Sequence, residues 1–385
     1  MKKALSLFLL LLLVVPVKAQ HLRHRLDLLV SDPMFETSQL GMMVWDLTDD
    51  TLLYEHNARH AMRPASTMKL LTTIASLDYL GKDYRFGTSL YCQGAMEEHT
   101  LDGDLILYGE MDPLFDTAML SVFIDSLQRM GVDTIRGTII SDRSFKDTLI
   151  WGEGWCWGDD NPTLSPLLLN GNDDMTERFV AELLNAGICL DSVGFARGRL
   201  SDTARLVCRC EHSIDELLPK MLKESDNLYA ECLYYQLAAS FGMPPASAVH
   251  ARTLEKQLIT RLGLERNNYR LSDGSGLSLY NYLSAEILTR LLRYAWQEDS
   301  IRESLLQALP VAGEEGTLAN RMLNTAAVGN VHAKTGTLSG VSSLAGYLTT
   351  ARGHDLCFCI FNQGVMKVSE GRAFQDRVCA ALCAP

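Results

Sequence analysis

The hydrophobic pattern opens with the one stretch of the chain that is apolar enough to enter a bilayer. This stretch, residues 4–15, follows Lys2 and Lys3 and precedes the small residue Ala19. It is shorter than the roughly 20 residues that a membrane-spanning helix needs. A positive start, a short apolar segment and a small residue are typical of a secretory signal peptide. We therefore predict a signal peptide over residues 1–19, export of the remainder, and no transmembrane anchor after cleavage.

Beyond this segment, the spacing of apolar residues predicts a strand–strand–helix order. Residues 22–30 have helical spacing, whereas 41–47 and 51–55 form two strands joined by a short polar turn. A helix is predicted over 66–80, because apolar residues recur every three or four positions and Gly81 follows the last of them.

The middle and the end of the chain differ in the spacing of their apolar residues. Between 87 and 203, short alternating segments separated by Gly, Asp and Asn predict a β-rich unit with a few helices. From Ser213 onward helical spacing dominates, and strands return near the end. The predicted helices are 214–222, 228–240, 248–262, 285–296 and a last one from about 369, and the predicted strands are 331–335, 341–350 and 355–361.

These patterns predict an α/β (α+β) fold with an insertion. Strands lie at both ends of the chain, so we expect the two ends to share one sheet. A chain of 385 residues is also too long for one ordinary core. We predict a catalytic domain made of residues 20–86 and 204–385, interrupted by a β-rich inserted domain over 87–203.

Composition narrows the classes of function. The chain has 47 acidic and 35 basic side chains. The predicted signal peptide contains three lysines and no acidic residue, so the exported part is more acidic still. Such a surface argues against a nucleic-acid partner.

The ten cysteines leave two interpretations open. Export would allow disulfides, but Cys208, Cys210, Cys357 and Cys359 lie in apolar runs that favour buried, unpaired thiols. A zinc site is disfavoured because two C-x-C pairs without a nearby His make a weak ligand pattern. The sequence therefore implies no metal and no cofactor.

The first candidate for chemistry is the pair Ser66 and Lys69. Their i, i+3 spacing at a helix start places both side chains on one face. A serine hydroxyl needs an adjacent base, and a partly buried lysine can serve. An S-x-x-K motif alone is expected about once by chance in such a chain, and a capping Ser followed by a surface Lys is its ordinary explanation.

Two further motifs follow in order. The segment 225–227, Ser-Asp-Asn, lies between two predicted helices, and 334–337, Lys-Thr-Gly-Thr, ends a predicted strand. Alone they would be a polar linker and a strand-edge turn. In the Lys-Thr-Gly motif, Lys334 would place a cation beside the site, and Gly336 would let a substrate lie against the strand.

The order of the three motifs is more specific than any one of them. S-x-x-K, S-x-N and K-T-G in succession form the signature of penicillin-binding proteins and class A β-lactamases. They also fall at a helix start, an inter-helix loop and a strand. The sequence therefore favours an enzyme that transfers acyl groups through an active serine.

Longer stretches carry a family resemblance. From about Leu40 to the C-terminus the chain closely resembles the class C low-molecular-mass penicillin-binding proteins, the D-alanyl-D-alanine carboxypeptidase/endopeptidase family. The stretches are 63–72, 223–231, 272–278, 309–318 and 329–340. The resemblance implies a serine β-lactamase/DD-peptidase-like catalytic domain in a periplasmic enzyme. It also implies peptidoglycan stem peptides or cross-links as substrates and β-lactams as covalent inhibitors.

The resemblance assigns a role to each motif residue. Ser66 matches the nucleophile, Lys69 the base that takes its proton, and Ser225 the hydroxyl that relays a proton to the leaving group. The backbone N–H groups of Ser66 and Thr337 would form the oxyanion hole.

The remaining motif residues match substrate-binding positions. Asn227 would bind the substrate peptide, and Lys334 would support Ser225 and the substrate carboxylate electrostatically. Thr335 and Thr337 would contact that carboxylate, with Gly336 between them.

The middle of the chain departs from the family pattern. The stretch between the first and second motifs is shorter than the family's usual two inserted domains, and 108–113 lacks the usual G-G-G-D-P. The tryptophan-rich segment 151–157 and the segment 162–166 fit the return to the catalytic domain. For both we favour packing over substrate contact.

Two alternative functions remain. A β-lactamase of class A would carry a Glu-x-x-Leu-Asn element, and the nearest run, Glu182-Leu-Leu-Asn185, is one residue short. A catalytically idle module that binds cell-wall peptides is the second alternative. It is disfavoured because the residues of all three motifs are intact.

Overall fold

The computed structural model describes residues 21–384, so the predicted signal peptide over 1–19 lies outside the described residues. Within 21–384, no helix combines the length and the apolar character that crossing a membrane would require.

Ten helices and twelve strands follow one another along this part of the chain. The helices are α1 (21–30), α2 (Met68–Leu80), α3 (Thr117–Arg129), α4 (Met175–Asn185), α5 (Ile214–Lys223), α6 (Asn227–Ala239), α7 (Ala248–Arg261), α8 (Ala285–Gln297), α9 (Asp299–Ala308) and α10 (Val368–Cys383). The strands are β1 (Gln39–Asp46), β2 (Thr51–His56), β3 (Arg85–Glu97), β4 (Thr100–Gly109), β5 (Thr134–Arg136), β6 (Thr138–Asp142), β7 (Cys189–Leu190), β8 (Gly194–Gly198), β9 (Arg205–Ser213), β10 (His332–Leu338), β11 (Val341–Thr349) and β12 (Asp355–Gln363).

The first sheet joins the two ends of the chain, as the sequence predicts. Its strand order is β10-β11-β12-β1-β2, and every neighbouring pair is antiparallel. Central strands β11 and β12 are almost entirely buried because helices cover both faces of the sheet. This arrangement leaves β10, which carries Lys334 to Thr337, at the sheet edge.

The second sheet lies in the middle of the chain and is mixed. Strands β3, β4 and β9 pair antiparallel, whereas β5, β6, β7 and β8 are added by parallel pairing. Helices α3 and α4 contribute Phe123 and Phe179 to its apolar core. The strands of this sheet span residues 85–213, slightly more than the inserted domain predicted over 87–203. The domain boundaries stay a prediction.

Most predicted helices agree with the structure to within a residue or two, but α9 was not predicted. Only a few of its residues are apolar, and Ile301 and Leu305 pack into the main core. A short helix with so few apolar positions gives too weak a period to stand out from a polar linker.

All ten cysteines are free thiols, and six of them are buried. Burial raises the pKa of the Cys232, Cys359 and Cys379 thiols well above the ordinary value, which makes their reactive thiolate scarce. The structure thus has unpaired thiols, which are buried at Cys357 and Cys359 as predicted but only partly buried at Cys208 and Cys210.

Candidate active site

Ser66 lies in a tight turn immediately before α2. Residues Ala65–Thr67 form one 3-10 turn, and Ala65 has a left-handed backbone with φ of 49°. Strand β10 passes so close that a Cβ on Gly336 would lie 2.1 Å from Ser343 Oγ and 3.0 Å from Ser66 N. Glycine is therefore required at 336 for the strand to run beside the half-buried serine.

Lys69 lies one turn further on and is completely buried. Its Nζ is 3.2 Å from Ser66 Oγ, 2.8 Å from Asn227 Oδ1 and 2.8 Å from the Ser275 carbonyl oxygen. Burial lowers the pKa of Lys69 to about 8, against the opposing effect of Asp273 and other nearby acids. Near neutral pH the side chain can therefore lose its proton and accept one from Ser66.

Ser225 lies in the α5–α6 loop, next to Lys334 of β10. Lys334 Nζ donates to Ser225 Oγ at 2.8 Å and to the Thr335 carbonyl at 2.9 Å. Ser225 has φ of 65°, a conformation that costs a non-glycine residue about 1–3 kcal/mol and is found mainly at functional sites. Burial, and the charge of Lys69, hold the pKa of Lys334 well below its ordinary value.

The structure thus brings the eight predicted site residues to one place. The turn before α2 supplies Ser66 and α2 supplies Lys69. The α5–α6 loop supplies Ser225, the start of α6 supplies Asn227, and β10 supplies the rest. Thr335 Oγ1 lies 2.8 Å from Thr317 Oγ1, and Thr337 is exposed at the strand edge.

Sequence reasoning missed the support beneath Lys69. Glu231 Oε1 accepts hydrogen bonds from the backbone N–H groups of Gly274 (3.1 Å) and Ser275 (2.8 Å). It therefore holds the loop whose Ser275 carbonyl contacts Lys69. Glu231 follows Asn227 by four residues on α6, on the same helix face, and an acid there within an apolar helix is the signal that could have found it.

Asp273 organises the same loop from the other side. Its carboxylate accepts from the backbone N–H groups of Gly276 (2.9 Å) and Ser278 (2.7 Å), from Asn281 Nδ2 (2.6 Å) and from Trp155 Nε1 (2.8 Å). The loop 272–278 carries the family resemblance in sequence, but its function as a platform for Lys69 comes from these contacts.

Three buried acids lie in this region, and two of them have raised pKa values. Burial raises the pKa of Glu231 to about 8, with Asp273 adding to the effect. Burial also raises the pKa of Glu255 well above its ordinary value, and neither of its carboxyl oxygens has a hydrogen-bond partner within 21–384. Burial of several ionisable groups together is typical of functional sites.

The segment that contains Trp155 packs against the 272–278 loop. Besides the Trp155 contact, the Glu153 carbonyl accepts from Ser278 Oγ at 2.6 Å. Trp157, by contrast, is 89% exposed and contacts Trp151 edge to face. Packing thus accounts for Trp155 but not for Trp157.

One group within 21–384 has the spacing of metal ligands: Asp46, Asp49 and His354. Asp46 Oδ1 already accepts the backbone N–H groups of Thr48 and Asp49, and His354 Nδ1 lies 2.9 Å from Asp46 Oδ2. This geometry is that of a capped β1–β2 turn, and the candidate active site has no residue in it.

The site as a whole has the parts of an active-serine acyl transferase. A hydroxyl lies beside a buried amine whose pKa is lowered, and a second hydroxyl lies beside a second lysine. This is the constellation of nucleophile, base and proton relay that acyl transfer requires.

Comparison with known proteins identifies the family. The model of the D-Ala-D-Ala carboxypeptidase 3 (S13) family matches residues 22–167 and 167–382, and the chain belongs to this family. D-alanyl-D-alanine carboxypeptidase DacB of Haemophilus influenzae is 25% identical, with 86% of each chain covered.

Solved structures show the same fold. Penicillin binding protein 4 (dacB) from H. influenzae matches with a TM-score of 0.82 and 24% identity, over 90% of this chain and 96% of that one. That protein complexed with a β-lactam matches with a TM-score of 0.75 and 24% identity, over 89% and 95%. The predicted family, the fold class and the enzyme class, a serine-type D-Ala-D-Ala carboxypeptidase, are therefore confirmed.

Proposed function

We propose that this carboxypeptidase is exported to the periplasm and cleaves D-Ala-D-Xaa bonds of peptidoglycan peptides through an acyl-enzyme on Ser66. One observation carries the proposal: the buried Lys69 amine, with its pKa near 8, lies 3.2 Å from the Ser66 hydroxyl. A neutral amine in that place is a general base for the nucleophile.

Acylation would proceed in one sequence of bond changes. Neutral Lys69 takes the Ser66 proton while Oγ bonds to the carbonyl carbon of the substrate. The backbone N–H groups of Ser66 and Thr337 stabilise the oxyanion. The C–N bond then breaks as Ser225 passes its proton to the leaving amine and takes back the one that Lys69 received, so Lys69 is neutral again. Lys334, whose Nζ lies 2.8 Å from Ser225 Oγ, assists this relay.

Deacylation would return the enzyme to its starting state. Water attacks the Ser66 ester, the acyl group leaves as a free acid, and Oγ regains its proton through Lys69. A β-lactam follows the same acylation step, but its leaving amine stays tethered to the acyl group, so the adduct persists. The complex of the H. influenzae relative with a β-lactam supports this expectation.

To test the proposal, the mature protein is incubated with benzylpenicillin and its intact mass is measured over time. Wild type should gain the mass of one penicillin, and Ser66→Ala should gain none. Ser121→Ala, the same change at an exposed position of α3, is the matched control and should react like wild type. A folded wild-type protein that neither forms an adduct nor consumes penicillin nor releases D-Ala would favour the idle binding module.

Peptide substrates then separate the two possible activities. Release of D-Ala from a stem pentapeptide measures carboxypeptidase activity, and cleavage of a cross-linked dimer measures endopeptidase activity. Residual D-Ala release by Ser66→Ala above about a thousandth of wild type would show that Ser66 is not the nucleophile.

A further inference from the structure

Arg372, a residue outside the three motifs, contacts one of the predicted substrate-binding residues. It lies in the first turns of α10, is exposed, and its Nη2 donates to Thr337 Oγ1 at 3.2 Å. Gly371 brings this end of the helix close to the sheet, since a Cβ there would lie 2.9 Å from Ser342 Cβ. Ser342 pairs with Thr337 across β10 and β11, so the packing of α10 determines where Arg372 lies.

The charge of Arg372 is not neutralised by a neighbour. Asp376, one turn along α10, instead binds Arg321 at 2.6 Å. Arg321 also donates to the Arg372 carbonyl at 3.0 Å, which holds the backbone at this position. Glu370 pairs with Lys367. Within residues 21–384, the Arg372 guanidinium forms no ion pair, so a permanent cation points at an exposed threonine hydroxyl.

Lys334 is poorly suited to supply the same charge. It is completely buried, both of its hydrogen bonds are to the protein, and burial together with Lys69 lowers its pKa. Arginine, in contrast, stays protonated in proteins and its planar group matches a carboxylate. Of the two cations, Arg372 is therefore better suited than Lys334 to bind a carboxylate.

We propose that Arg372 determines substrate specificity by binding, together with Thr337, the carboxylate of the residue that leaves during acylation. This inference rests on the proposed function, because it assumes that the leaving residue lies against Thr335 and Thr337. It predicts that the enzyme requires a free carboxylate on that residue.

Two matched substrate pairs test the role of Arg372. The first pair is diacetyl-L-Lys-D-Ala-D-Ala and its C-terminal amide, assayed for kcat and KM. The second pair is benzylpenicillin and its methyl ester, assayed for acylation rate by intact mass. Each pair differs only in the carboxylate, so a general loss of activity cannot imitate a loss of carboxylate binding.

Arg372→Gln should lower kcat/KM and the acylation rate for the free acids by about tenfold or more, mainly through KM. The amide and the ester should react as they do with wild type. Arg372→Lys should restore part of the preference, because it keeps the charge and loses the planar fork. Arg377→Gln is the matched control on the same helix: Arg377 pairs with Asp32, and its loss should leave the preference unchanged.

Equal losses for acids and for their neutral analogues would overturn the inference and make Arg372 a structural residue. Unchanged values for both would overturn it too. In either case the proposed function would stand, because wild type would still react. A wild-type protein inert toward both pairs would instead refute the proposed function, and the inference with it.

Discussion

The core of the second sheet and the region beneath Ser66 are built in opposite ways. The former buries apolar side chains such as Leu90, Phe115, Phe123 and Phe179. The latter buries Lys69, Glu231, Glu255 and Asp273, which we call the buried charged layer. Apolar burial stabilises a fold, whereas burial of ionisable groups costs free energy unless each is paired.

The two regions therefore differ in role: the core of the second sheet stabilises the fold, whereas the buried charged layer supports the chemistry of the site. Buried charges in general contribute little to stability, because the cost of removing them from water offsets their mutual attraction. Two acids of the buried charged layer act instead on the site: Glu231 and Asp273 hold the loop whose Ser275 carbonyl contacts the Lys69 amine, and burial of that amine lowers its pKa to about 8. Three predictions test this division.

The largest effect is expected when one residue of each region is changed. Lys69→Met should slow penicillin acylation by about 100-fold to 10,000-fold, because it removes the base. Phe123→Ala should lower the free energy of unfolding by about 3–5 kcal/mol and leave the acylation rate per folded molecule unchanged.

Intact-mass kinetics and urea unfolding, applied to both variants, measure the two quantities separately. Acylation by Lys69→Met within tenfold of wild type would remove Lys69 from the mechanism. A slowed Phe123→Ala, at full folding, would show that the two regions are coupled.

An intermediate effect is expected at Glu231, where it should depend on pH. Burial raises the pKa of Glu231 from its ordinary value of 4.5 to about 8 in the folded protein, so its contribution to stability is present below about pH 4.5 and is lost as pH rises to about 8. Lys69 has its pKa lowered from 10.5 to about 8, so its contribution rises between those values. Wild type should therefore have a local minimum of stability near pH 8.

Glu231→Gln should make the fall in stability below pH 8 shallower, by up to about 1.4 kcal/mol for each pH unit, because the amide still accepts from Gly274 and Ser275 but does not titrate. Glu255, whose pKa is also raised by burial, should keep its own contribution to the fall. Glu231→Leu should instead lose about 1–3 kcal/mol for each unpaired N–H at every pH. Urea unfolding of the three proteins between about pH 5 and pH 8 measures this. Parallel curves for wild type and Glu231→Gln would mean that Glu231 does not titrate in the folded protein.

The smallest effect is expected in the tryptophan-rich segment. Trp155→Phe should cost about 1.5–3 kcal/mol, since it removes the indole donor to Asp273. Trp157→Ala should change stability by less than about 0.5 kcal/mol, because this side chain is 89% exposed. If packing is the whole role of the segment, KM for a stem peptide should not change in Trp157→Ala, and a severalfold rise would contradict that interpretation.

Much of the site could be predicted because its parts are local. Ser66 and Lys69 are one helical turn apart, Ser225 and Asn227 are two residues apart, and Lys334 is followed directly by its glycine. Residues this close in sequence stay close in space wherever their helix, loop or strand lies in the fold. The sequence therefore predicts the chemistry of each motif without predicting how the three motifs come together.

The parts that could not be predicted depend on distant contacts. Glu231 is more than forty residues from the Ser275 N–H that it binds, and Arg372 is 35 residues from Thr337. No period or short motif marks such pairs, and an acid on an apolar helix or an arginine near a helix start has many ordinary explanations. Helix α9 was missed for a related reason, since its few apolar residues are recognisable as a buried face only once they pack into the core.

The sequence by itself thus determined the fold class, the family and the position of the three motifs, because these follow from residue type, order and short spacing. Only the tertiary structure decided that Lys69 is completely buried, that a loop held by Glu231 and Asp273 supports it, and that Arg372 faces Thr337. The physical reason is that pKa values and pairing depend on burial and on groups nearby in space, and these are set by how α2, α6, α10 and β10 pack together.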